Sequence, residues 1–141
     1  MAFIVAITDS VFPSLDPEHR VLDPLGVEIR AGQCRSEGEV IALAKDANAI
    51  LNCYAKMTAR VIGELKRCRV IARYGIGVDN VDVNAASKRG IVVMNTPGGN
   101  TITTGEHSIA MMFALARQIP QATASMKGGK WDKKTFMGAE V

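Results

Sequence analysis

The sequence predicts an α/β protein, a three-layer sandwich in which a five-stranded parallel sheet lies between helices, and three observations carry that prediction. Short β-branched runs alternate with helical stretches through the first hundred residues. The first strand-like run, Phe3 to Thr8, is apolar almost throughout, as expected of a strand buried on both faces. Helix-capping residues stand ahead of the helical stretches, at Ser36 and Thr58. Strands and helices alternating at this spacing imply βαβ units and a sheet covered on both sides.

The elements follow in order. Phe3 to Thr8 is the first strand; it has no basic residues before it and meets Asp9, which excludes a signal peptide. A short helix starts at Asp16-Pro17, because proline suits the first helical turn. Val27 to Arg30 is the second strand. Ser36-Glu-Gly-Glu39 gives a capped, acidic start to a helix through Ala47, with Val40, Leu43 and Ala44 on one face. Ala49 to Asn52 is the third strand. Thr58 caps a helix to about Arg67, with Val61, Ile62 and Leu65 inward. Val70 to Tyr74 and Ile91 to Met94 are the fourth and fifth strands. The set is flavodoxin-like, and in such sheets ligands sit at the carboxyl ends of the strands. Those ends carry Thr8-Asp9, Asn52-Cys53-Tyr54, the Gly75 to Asn80 loop, and Asn95 to Asn100.

After Asn100 the pattern changes. Thr103-Thr-Gly-Glu106 reads as a capping box, opening a helix to Pro120 that is apolar on nearly every side. One sheet can cover only one face of it, so the rest implies another domain or a second subunit. The expected division is a substrate-binding domain over 1–101 and an interdomain helix with its linker arm over 102–141. A homodimer through this helix is expected, with the helix and the Trp131 to Met137 tail exchanged between subunits.

Bulk properties narrow the class. The 141 residues, 48% hydrophobic and 22% charged, match a soluble globular domain. The longest apolar run, Ile109 to Ala116, falls short of the roughly 18 residues of a membrane span. Cys34, Cys53 and Cys68 lack C-x-x-C spacing, which argues against disulfides and metal ligation and for a reducing, cytoplasmic setting. Net charge is +3, with Lys127, Lys130, Lys133 and Lys134 near the end. Only Trp131 and Phe136 interleave that cluster and Asp132 interrupts it, so it reads as a solvated tail rather than a nucleic-acid site.

Gly75-Ile-Gly77 follows a strand but fails the dinucleotide pattern, since the third glycine position is Asn80. The loop has two readings. It is a tight turn with Asp79 or Asn80 capping the helix through Ser87, or it is a nest of backbone N–H groups for a carboxylate. His19 sits in a polar stretch and reads as solvated. His107, in the first turn of its helix beside Glu106, reads as structural, and neither histidine has an evident carboxylate partner. Arg73 and Arg117 could bind anions, although a salt bridge or surface role is commoner at such positions. Cys53 has no basic neighbour to activate it as a nucleophile.

Five stretches carry a family resemblance: Arg73-Tyr-Gly-Ile-Gly-Val-Asp-Asn80, Gly90-Ile-Val-Val-Met-Asn-Thr-Pro97, Gly105-Glu-His107, Ala114-Leu-Ala-Arg117 and Gly129-Lys-Trp131. They resemble the substrate-binding domain of the D-isomer-specific 2-hydroxyacid dehydrogenase family, in its D-3-phosphoglycerate dehydrogenase branch. The opening third, including Ile7 to Asp16 and Gln33-Cys34, looks more like the C-terminal-binding-protein branch. The resemblance implies oxidation of a 2-hydroxy acid to a 2-keto acid with NAD, and it favours the carboxylate nest at Gly75, Ile76 and Gly77. It further implies substrate contacts at Asn52, Cys53, Tyr54 and Asn100, and contacts to the nicotinamide side at Ile76 and Thr104. The family's substrate-orienting arginine, glutamate and acid–base histidine come later in the chain, so no catalytic residue is expected here. A Rossmann cofactor domain is likewise not expected within these residues, and the chain alone is expected neither to bind NAD nor to turn over substrate.

One departure matters. The family branch places Arg-Ser after the third strand to hold a phosphate, and here the matching residues are Asn52 and Cys53, followed by Tyr54-Ala-Lys56. An amide and a thiol do not replace a bidentate guanidinium. The substrate is therefore read as a 2-hydroxy or 2-keto acid, with 3-phosphoglycerate leading. The alternative is a non-catalytic module that binds a small carboxylate or a protein. A receiver-type signalling domain fits less well, since it needs an acidic pair where Asp9 stands alone.

Overall fold

A computed structural model describes residues 2–141. They form two compact units, dividing between Gly99 and Asn100. In the first, five parallel strands lie in the order β2-β1-β3-β4-β5, the flavodoxin-like arrangement. The strands are β1 (Ile4–Ile7), β2 (Glu28–Ala31), β3 (Ala49–Asn52), β4 (Val70–Arg73) and β5 (Val92–Met94). The crossovers hold α1 (Asp16–Leu22) with a 3-10 turn at Asp23–Leu25, α2 (Glu37–Ala44), α3 (Ala59–Glu64) and α4 (Val83–Lys88).

Strand β1 is the buried axis of the sheet. All four of its residues are buried, and it pairs with β2 on one side and β3 on the other, Val5 meeting Ile29 and Ala49. Ile4 and Ala6 pack with Ile50 and Ile71 of the neighbouring strands and with Val40, Val61 and Ile62 of α2 and α3 in one core. This is why the first run is apolar without alternation: both of its faces are covered. The outer strands β2 and β5 hold no fully buried residue.

Helix limits differ from the sequence expectation where local polar groups intervene. Helix α2 stops at Ala44 rather than Ala47; Ala47 N–H closes a turn onto the Ala44 carbonyl at 2.9 Å, and the Asn48 side chain accepts from Ile4 N–H at 2.9 Å. Helix α3 is capped by Thr58 as expected but ends at Glu64, because Leu65 turns extended. The Arg89 guanidinium then donates to the freed Gly63 and Leu65 carbonyls. Helix α4 is capped by Asp82, whose Oδ1 accepts from Ala85 N–H at 2.8 Å, and not by Asp79 or Asn80.

The second unit holds α5 (Thr101–Ala116) and α6 (Ile119–Lys127). Helix α5 begins at Thr101 with Asn100 as N-cap, so the expected capping box at Thr103 lies inside the helix, and His107 falls beyond its first turn. The expected single helix to Pro120 is interrupted. Gln118 adopts a left-handed conformation (φ 52°) and Pro120 starts a new helix. The tail returns through Gly138 (φ 61°), with Ala139 N–H bonded to the Ala116 carbonyl at 2.8 Å. Trp131 and Phe136 share a small cleft of about 190 Å³ with Ala122 and Met126 of α6. No residue of α5 is buried. No helix among the described residues is long and apolar enough to cross a membrane.

Candidate functional site

Three adjacent strands end at one edge of the first unit, and their loops are tied together by buried polar side chains. Asp9, just past β1, is 8% exposed. Its Oδ1 accepts from Cys53 N–H at 3.1 Å and the Thr8 hydroxyl at 2.8 Å. Its Oδ2 accepts from Tyr54 N–H at 2.6 Å and Ala55 N–H at 3.2 Å. Asn52 is fully buried and donates to the Thr8 hydroxyl oxygen at 3.0 Å and the Ala55 carbonyl at 2.9 Å.

The β4 loop joins the same network through Asn80. Its side-chain NH₂ donates to Asn52 Oδ1 at 2.7 Å, to the Ala55 carbonyl at 3.1 Å and to the Cys53 carbonyl at 3.3 Å. Asn80 is thus a tie between loops rather than a helix cap. On the far side, Asn95 donates to the Ile76 carbonyl at 2.9 Å and the Thr96 hydroxyl to the Arg73 carbonyl at 3.1 Å. These bonds fix the backbone around Gly75 to Gly77 while the N–H groups of Ile76 and Gly77 have no acceptor among the described residues.

Neither Gly75 nor Gly77 has a positive φ. Arg73 Nη1 stands where a Cβ on Gly75 would go, so a side chain there would displace the flexible end of Arg73. The guanidinium of Arg73 therefore lies directly against the Gly75 backbone. It donates from Nη1 to the Tyr74 carbonyl at 3.3 Å and sits 5.7 Å from the Tyr54 ring centroid. Its Nε is buried without a partner, and it joins none of the ion pairs formed among the described residues. A salt-bridge role for Arg73 is thus replaced by an uncompensated cation at the strand end. Next to it, the Tyr74 hydroxyl donates to Glu18 Oε1 at 2.9 Å, and burial, then the Glu18 carboxylate, pushes its pKa well up.

Cys53 is buried; desolvation and then Asp9 raise its thiol pKa, against a smaller opposing pull from Arg73. It does have a basic neighbour, but burial prevails, and the thiol is no nucleophile. His19 has a carboxylate partner after all, Asp23 at 3.0 Å one helical turn on; both side chains are exposed. Tyr54, Ile76 and Gly77 are exposed. A cleft of about 510 Å³ runs from Asp9 and Tyr54 past Cys34 and Arg35 to Lys56. The structure thus gathers Asn52, Cys53, Tyr54, Gly75, Ile76 and Gly77 at one edge. Asn100 and Thr104 belong to the second unit, at the N-cap and first turn of α5. The sequence reading overlooked the roles of Asp9 and Asn80, and for Arg73 it ranked a salt bridge or surface role above anion binding. A polar residue directly after a fully apolar strand was the available signal for Asp9.

The family profile described as D-isomer specific 2-hydroxyacid dehydrogenase, catalytic domain, matches residues 5–131. A D-3-phosphoglycerate dehydrogenase of Archaeoglobus fulgidus is 50% identical over 117 residues, 83% of this chain and 22% of that protein. One of Rattus norvegicus is 46% identical over 143 aligned positions, 100% of this chain and 27% of that protein. The crystal structure of an NAD+-bound 3-phosphoglycerate dehydrogenase from Entamoeba histolytica superposes with a TM-score of 0.79 at 26% identity, covering 100% of this chain and 44% of that one. The chain therefore spans about a quarter of the length of the curated relatives it matches.

Proposed function

We propose that this chain, which belongs to the D-isomer specific 2-hydroxyacid dehydrogenase family, supplies the substrate-holding part of an NAD-dependent enzyme that oxidises a 2-hydroxy acid to a 2-keto acid. The observation that carries this reading is the pairing of a cation with free donors at one strand end. Among the described residues Arg73 has no acidic partner, and the Ile76 and Gly77 N–H groups beside it are unbonded. A carboxylate answers both needs, taking backbone N–H bonds while the guanidinium stabilises its charge. Charge-assisted bonds of this kind contribute about 1.5–3 kcal/mol each.

The leading substrate is D-3-phosphoglycerate, the acid in the names of the relatives. Asn52 and Cys53 are buried, so their part is to hold the loop that presents Tyr54 and Lys56, rather than to grip a phosphate directly. NAD is the proposed oxidant, as in the Entamoeba structure, and it supplies hydride acceptance when bound. The Gly75 to Asn80 loop does not fit a dinucleotide pyrophosphate: Asn80 replaces the third glycine, its amide is turned inward, and α4 starts only after Asp82. Helix α5, with Ile109, Met111, Phe113 and Leu115 exposed, supports assembly as a homodimer, and free cysteines suit a cytoplasmic setting.

Amide chemical-shift mapping with D-3-phosphoglycerate and D-glycerate tests the reading. Shifts are expected at residues 74–78, and Arg73→Lys should weaken binding by roughly 10- to 150-fold, one charge-assisted bond's worth. Absence of any shift at 74–78 at saturating ligand would overturn it.

A further inference from the structure

We infer that the turn at Cys53, Tyr54 and Ala55 is a carboxylate-binding nest filled by the chain's own Asp9, and that Asp9 is the positioning residue for Tyr54 and Lys56. The inference rests on the substrate-holding reading above only for what those two side chains then meet.

Four donors converge on one carboxylate. Three are consecutive backbone N–H groups, of Cys53, Tyr54 and Ala55, and the fourth is the Thr8 hydroxyl, at 2.6–3.2 Å. The two oxygens take two donors each. Among the described residues no cation forms an ion pair with Asp9, so its direct partners are aligned dipoles, as for an anion in a backbone nest. The partners are themselves locked. Thr8 and Asn52 are fully buried, and Asn52 bonds both Thr8 and the Ala55 carbonyl.

The clamp has a directional result. Cys53 and Ala55, at 3% and 8% exposure, are drawn inward, and Tyr54 between them stands 65% exposed. Lys56 is exposed as well. Inward and outward residues thus alternate from 53 to 56, and both outward side chains line the same cleft as Asp9. Tyr54 is held where its ring meets the Arg73 guanidinium. An isolated stabilising carboxylate would not need to bind three successive amides; one that sets a loop's facing does.

The 141-residue chain provides the test. In the wild type, a coupling through the hydrogen bond from the Asp9 carboxyl carbon to the Tyr54 amide nitrogen is expected. Asp9→Ala empties the nest, and amide exchange at Tyr54 and Ala55 should accelerate by about tenfold or more. Sodium formate, a carboxylate small enough to refill the nest, should reverse most of that loss, whereas sodium chloride at equal ionic strength should not. If Asp9→Ala does not fold, Asp9→Asn and the wild-type coupling decide. Absence of the coupling overturns the inference, and so does equal rescue by chloride. A uniform loss of protection that leaves Tyr54 and Ala55 exchanging no faster than Ile50 and Ile71 would reduce Asp9 to a general stabiliser and overturn it too. Titration of the wild type with D-3-phosphoglycerate reports separately on the substrate reading, so either can fail with the other standing.

Discussion

Removing the Asn80 amide should unlatch two loops at once, and the size of the effect follows from the bonds it makes. Its NH₂ serves Asn52 Oδ1 at 2.7 Å, the Ala55 carbonyl at 3.1 Å and the Cys53 carbonyl at 3.3 Å. Ala55 keeps a second donor, the Asn52 side chain at 2.9 Å. Asn52 Oδ1 has no such alternative, and its residue is fully buried. Asn80→Ala therefore loses about two hydrogen bonds, one of which leaves a buried acceptor bare, for a cost of about 2–4 kcal/mol. With a urea m-value of about 1.5 kcal/mol/M, the unfolding midpoint should fall by roughly 1.3–2.7 M. Asn80→Asp keeps the shape and sets a carboxylate against three oxygens, so its folded-state pKa must rise above the ordinary value near 3.9. Below that pH the neutral carboxyl donates one bond and the penalty is small; as pH rises through the raised value the penalty grows. An Asn80→Ala variant within about 0.5 kcal/mol of wild type, or an Asn80→Asp penalty flat with pH, would refute the latch.

Three other outcomes are expected. The Glu39 carboxylate accepts from Arg35 N–H at 2.6 Å, which holds its pKa below the usual range; the bond should anchor the start of α2 above the ordinary carboxyl pKa and be lost as pH falls through the lowered one, and an Arg35 amide shift that titrates at or above about 4.3 would contradict this. Burial pushes the Cys68 thiol up to about 11, so at pH 8 it should react with a disulfide reagent about a hundredfold more slowly than an ordinary thiol; equal rates in the native and urea-unfolded chain would count against it. Gly138→Ala places a Cβ 2.3 Å from the Ala116 carbonyl oxygen at a positive φ, which should cost more than about 1 kcal/mol and free the Ala139 amide to exchange; continued protection of that amide would show that the tail tolerates a side chain.

The sheet was legible because its signals are local and cumulative. Five apolar runs and the caps at Ser36 and Thr58 appear where the structure has strands and helices. What escaped depends on contacts distant in sequence. Nothing near Leu65 announces that Arg89 will take up the carbonyls at the end of α3. The break at Gln118 was hidden because glutamine rarely takes a left-handed conformation, although Pro120 marked the place. In the site, the two glycines announced the loop at Gly75 to Gly77, but not that the Arg73 guanidinium lies against Gly75. Asp9 and Asn80 looked like ordinary loop polars, since a residue's partner 25 to 46 positions away cannot be read from its neighbours.

That separation also sets when the site can exist. Asp9 must wait for Ala55 before its last bond can form, and the Asn80 latch closes on loops that are already in place. As the chain is made, β1 and β2 cannot shape this edge, and a segment ending before residue 80 lacks the residue that joins its two loops. Closing loops of this length costs several kcal/mol of chain entropy before any bond compensates. Binding at this edge should therefore appear late and abruptly during folding, in step with completion of the sheet, so that a ligand added to refolding protein would report the finished molecule and not its intermediates.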